Sequence, residues 1–136
     1  NVGPTGRGEF DYRALDRLEG IGRWMKCHGR SIYGCTQAPD DIPCPKDCRL
    51  TYNPDTKRLY VHVFAYPYKH VVLENVADRT EYAQFLHDAS EVRYPDGWHR
   101  QQIVRSGGVS ENALVFELPQ MKPHGVDVPV IEVFLK

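Results

Sequence analysis

At 136 residues, 41% of them hydrophobic, the chain is long enough for one domain with a core of its own. A formal net charge of -1, with 17 basic residues spread along the chain, leaves no electrostatic footprint for nucleic acid or an anionic membrane. No apolar run approaches the roughly 20 residues of a membrane span, so neither nucleic acid nor membrane is expected as a partner.

The chain opens with Asn1 at what reads as the end of a strand, with neither an initiating Met nor a signal-peptide pattern, and this start suggests a fragment. A Gly/Pro-rich loop follows, and then one amphipathic helix. Asp11 is its N-cap, with Phe10 and Leu15 at the two positions of a hydrophobic staple. Ala14, Leu18, Ile21 and Met25 recur at helical spacing and fall on one face, which should be buried against something. Arg13, Arg17, Glu19, Arg23 and Lys26 point away, with Glu19 and Arg23 as an i,i+4 pair. Gly22, on the apolar face, is expected to pack closely against a neighbour, since a glycine there costs roughly 1 kcal/mol. Gly29 supplies a left-handed stop.

Asn1-Val2-Gly3-Pro4-Thr5, Gly6, Gly8, Leu18, Ile21-Gly22-Arg23-Trp24-Met25, Gly29 and Ser31-Ile32-Tyr33-Gly34 form an ordered, dense set of matches. This set resembles the close of the catalytic barrel in α-L-fucosidases of glycoside hydrolase family 29. Looser agreement continues through Leu59 to Phe64 and Ala83 to Glu91. The resemblance implies that residues 1–34 end a (β/α)8 barrel (strand end, loop, last helix) and that residues 35–136 form a C-terminal β-sandwich.

The segment from Thr36 to Asp47, with three prolines and three aspartates, reads as a loop that crosses from the helix to the sandwich. Arg49 to Tyr52 is a short strand closed by an Asn53-Pro54-Asp55 turn. Lys57 to Tyr66 is the clearest strand: Leu59, Val61 and Val63 alternate with Tyr60, His62 and Phe64, so both faces are largely apolar, as in a central strand packed on two sides. The helix is expected to cover part of one side. Val71 to Leu73 begins another strand, and Tyr82 to His87 makes a hairpin with Glu91 to Tyr94 through Asp88-Ala89-Ser90. A polar loop from Pro95 to Gly108 carries Trp98, His99 and Arg100, and strands follow around Leu114 to Leu118 and Val128 to Leu135. Short strands joined by Gly, Pro and Asp turns predict a mainly β chain: an antiparallel β-sandwich preceded by one amphipathic helix.

The four cysteines, Cys27, Cys35, Cys44 and Cys48, admit a zinc site, a disulfide between Cys44 and Cys48 or from either to Cys35, or free thiols in a reducing compartment. The last is the preferred reading, which favours the cytoplasm, with secretion left open. The histidines lack a second ligand at a recognisable spacing, so no metal and no cofactor are expected. His28 closes the helix, where a positive charge suits the dipole.

Retaining glycosidases need two carboxyl groups about 5 Å apart. The resemblance puts both upstream of Asn1, so no catalytic residue is assigned here; Glu9, Asp11, Asp40 and Asp41 read as loop or cap carboxylates. Three residues are candidate carbohydrate contacts: Trp98 and its neighbour His99 in a polar loop, and Asn1, which the resemblance sets near the barrel mouth. For Trp98 the competing role is cover over a sandwich edge, and for Asn1 it is a structural amide. Trp24, Tyr33 and Tyr60 are expected in the seam between helix and sandwich. The implied function is a structural or accessory portion of a fucosidase whose partners are the catalytic barrel and a fucosylated glycan substrate. A free-standing carbohydrate-binding module is the alternative, and an uncovered helix face would favour self-association.

Overall fold

The computed structural model describes residues 2–136. Asp11 caps α1 (Tyr12–His28) by accepting the Arg13 backbone N–H at 2.9 Å. The Glu19–Arg23 pair forms at 3.8 Å on the solvent side, where it is worth a few tenths of a kcal/mol. The helix does not stop in a left-handed residue at Gly29, which is right-handed and leads into a 3-10 turn, Gly29–Ser31. A Cβ at Gly29 would meet the Tyr33 ring at 3.2 Å, so the absent side chain makes room for that ring. The left-handed position comes later, at Gly34, with φ of +71°.

Four strands form one antiparallel sheet in the order β1 (Cys48–Asn53), β2 (Arg58–Val63), β6 (Val130–Leu135), β4 (Thr80–Phe85). A two-stranded sheet pairs β3 (His70–Leu73) with β5 (Leu114–Glu117). The Asn53 side chain closes the β1–β2 turn by accepting the backbone N–H groups of Asp55 and Thr56. In the register Leu59 faces Val133 and Val61 faces Ile131, and these residues point from the larger sheet onto Val71, Leu73, Leu114 and Phe116 of the smaller one. The two layers thus share one buried core, and the chain is a β-sandwich preceded by a long helix.

Two expected elements differ. The segment Glu91 to Tyr94 does turn back on β4, with Val92 N–H donating to Ala83, but it then crosses over, and Arg93 bridges Glu117 in the other sheet. It links the layers rather than adding a strand. The stretch read as a polar loop around Trp98 is a helix, α2 (Gly97–Arg105), in which no residue is fully buried.

Gly22 also departs from expectation: it faces open space, with nothing within 4 Å of a Cβ built there. Leu15, Leu18 and Ile21 beside it remain 43%, 41% and 59% exposed while Ala14 and Met25 are half-buried, so among the described residues much of the apolar face of α1 is open. Gly22→Ala should therefore raise stability by about 0.5–1 kcal/mol in urea denaturation of the chain; a loss of stability would show that something packs against this position.

Candidate functional site

The alternation of β2 creates the chain's most elaborate constellation. While Leu59, Val61 and Val63 enter the core, Tyr60 and His62 emerge beneath α1. The helix meets them with a narrow second face, one turn apart, at Trp24 and His28. The Trp24 indole N–H donates to the Val128 carbonyl at 2.8 Å, and its ring stacks on His28 with centroids 4.7 Å apart and 14° between planes. His62 lies 6.0 Å from the Trp24 ring, and His87, just beyond β4, lies 6.3 Å from His28.

Hydrogen bonds identify the donor nitrogen in two of these rings. The Thr51 hydroxyl donates its one proton to the Ser31 carbonyl at 2.6 Å, so at 3.1 Å it accepts from His62 Nε2–H. His28 Nδ1–H donates to the Trp24 carbonyl at 3.0 Å, leaving Nε2 as a buried lone pair without a partner. Burial, and then the charge His28 would carry, push His62 down to about 4, and burial also lowers His28. His28 is thus neutral near pH 7, which corrects the expectation of a cation at the helix end.

Beside the histidines lies a buried carboxylate. Glu132, 4% exposed on β6, accepts from Arg30 at 2.7 Å, Gln84 at 2.7 Å and the Tyr60 hydroxyl at 3.3 Å. Three donors compensate the cost of burying the charge. Burial and then the nearby Glu132 charge push Tyr60 up to about 12, so it stays a donor. Tyr60 and Trp24 hold the seam as expected, whereas Tyr33 is exposed and takes no part. Along the open side runs an apolar groove of about 390 Å3, lined by Ile21, Trp24, Ile32, His62, Phe64 and Val128.

Trp98 and His99 lie elsewhere, on α2, with their rings edge to face at 5.3 Å and Trp98 66% exposed. Trp98 therefore does not fold back over a sheet edge. Asn1 lies outside the described residues. Glu9 is exposed, Asp11 is engaged in the helix cap and Asp41 pairs with Arg79 at 2.6 Å. All four cysteines are free thiols, and burial raises Cys48 to about 11. Among the described residues no group of three or more His, Cys, Asp or Glu side chains is placed to hold a metal ion. The histidine cluster and the Glu132 network escaped sequence reasoning, although the period of β2 already set His62 on the same face as Tyr60.

Solved structures give this arrangement a context. The whole chain superposes on part of α-L-fucosidase isoenzyme 1 from Paenibacillus thiaminolyticus, at 28% identity and a TM-score of 0.78, covering 30% of that chain. It does the same with a GH29 α-L-fucosidase from Bacteroides thetaiotaomicron, at 20% identity, a TM-score of 0.79 and 28% of that chain. With the α-fucosidase of Thermotoga maritima, 98% of this chain matches 29% of that one at a TM-score of 0.66. No family model and no curated protein matches the sequence. This chain thus resembles, over its full length, the C-terminal portion of GH29 α-L-fucosidases, as its opening residues suggested, and spans less than a third of the enzymes it matches.

The seam carries a pH dependence whose sign follows from His62. Between about 6.5, its ordinary value, and about 4, the unfolded chain binds a proton that the folded chain refuses, so stability falls as the pH drops through that window. The loss is of order 2–3 kcal/mol. Urea denaturation from pH 7 to pH 4 should show it, and His62→Gln should flatten the slope; an unchanged slope in that variant contradicts the assignment.

Proposed function

We propose that this chain is the C-terminal, non-catalytic portion of a retaining α-L-fucosidase, an enzyme that hydrolyses terminal α-L-fucosyl linkages. Residues 1–34 end its barrel and residues 35–136 form the sandwich that braces it. The observation that carries this reading is the uncovered apolar face of α1. An amphipathic helix is stable when that face is covered, yet the sandwich takes only the Trp24 and His28 edge and leaves Leu15, Leu18 and Ile21 in the open. The solved fucosidases supply a reason: about 70% of each lies outside the matched part, enough to cover the face.

On this reading the groove along Ile21, Ile32 and Phe64 belongs to the same contact, and the catalytic barrel is its occupant. Gly22, open in this chain, then sits where another backbone comes close. The two catalytic carboxylates lie on the barrel, and the chain alone performs no hydrolysis.

Two measurements test the reading together. The chain should release no fucose from an aryl α-L-fucoside above the buffer rate, and in size-exclusion chromatography it should self-associate with rising concentration through its bare face. The double substitution Leu18→Asp with Ile21→Asp should return it to a monomer. Turnover by the chain, or a wild-type chain that stays monomeric at high concentration with α1 folded, overturns the proposal.

A further inference from the structure

The helix α2 roofs a cleft of about 860 Å3 against the loops that hold Asp78 and Glu111-Asn112, within the size range of ligand sites. Its polar lining is Asp78, Arg100, Gln101, Arg105, Glu111 and Asn112. Two side chains there are fixed by the protein. Arg100 donates to the Glu111 carbonyl, with its Nε shut away from solvent and unpartnered. Asn112 Oδ1 accepts the Asp78 backbone N–H at 3.2 Å, which leaves its amide N–H2 group available. Among the described residues, the side chains of Asp78, Gln101, Arg105 and Glu111 make no hydrogen bond or ion pair with the protein.

The chemistry of this lining is selective. Two guanidinium groups and two carboxylates cancel, so neither an anion nor a cation gains from entering. Donors and acceptors are interspersed, which suits hydroxyl groups, each of which donates once and accepts twice. Trp98 follows Gly97, which lines the cleft, and precedes Gln101 by three residues, so on α2 it flanks the lining without being part of it. Its exposed indole offers an apolar plane beside a polar cleft, the pairing that a sugar ring needs for its C–H face and its hydroxyls.

We propose that this cleft binds a neutral glycan end, with Trp98 stacked on one sugar ring and Asp78, Gln101, Arg105, Glu111 and Asn112 bonding its hydroxyls. The proposal stands on the cleft and on Trp98 beside it, and holds whether or not α1 docks on a barrel. The isotope-labelled 136-residue chain has two indole N–H signals, and Trp24, bonded to Val128, serves as the internal control. Titration with fucosyllactose into the millimolar range should move the Trp98 signal saturably and leave the Trp24 signal in place. Trp98→Ala or Gln101→Ala, both on the exposed face of α2, should weaken binding roughly tenfold or more, followed by backbone amide shifts along the cleft. Sialyllactose, which adds a negative charge, should bind no more tightly. The absence of any saturable shift, equal affinity in both variants, or tighter binding of the charged sugar overturns the proposal.

Discussion

A strand buried on both of its faces sets the terms for the rest of the molecule. β2 gives Leu59, Val61 and Val63 to the space between the sheets and Tyr60 and His62 to the space beneath α1. The first set needs only apolar neighbours. The second brings a hydroxyl and an imidazole into a buried layer, where each polar atom left unpaired costs of order 1–3 kcal/mol. That demand accounts for Thr51 and Glu132 on the flanking strands, and for Arg30 and Gln84 around Glu132. The seam is therefore held by directed hydrogen bonds and ring stacking as well as by apolar area. It fixes the helix at one end, through Trp24 and His28, and leaves the other end free to meet something else.

Local signals in the chain were legible where the physics is local. Asp11 caps because its side chain reaches a backbone N–H two residues on, and Asn53 turns the chain in the same way. The alternation of β2 and β6 announced a two-layer β structure, and the opening residues announced the fucosidase likeness. The stop at Gly29 was misread because its glycine answers to the Tyr33 ring, four residues on, and not to backbone handedness. α2 was missed because Pro95-Asp96-Gly97 reads as a turn; Gly97 does take φ of +46°, and the helix that follows presents no buried face to set a period. The Glu132 network spans 102 residues between Arg30 and its partner, a distance at which no sequence pattern speaks.

These parts divide the surface of the molecule in two. The sandwich has one core drawn from both sheets. The apolar stripe on α1 is far wider than the edge the sandwich uses, and in the fucosidases that share this fold more than two thirds of the chain lies beyond the matched part. A helix fixed at one end by Trp24 and exposed along Leu15, Leu18 and Ile21 is the observation on which the proposed role as the brace of a sugar-cleaving barrel rests.

Amide hydrogen exchange along α1, in dilute samples of the chain, tests that division most directly. The account predicts protection from Trp24 to His28 approaching that of β2, with the hydrogen-bonded amides from Leu15 to Ile21 exchanging far faster because the apolar side chains on those turns are exposed. Uniform protection from Leu15 to His28 would contradict it, since the face described as open would then already be satisfied within the chain.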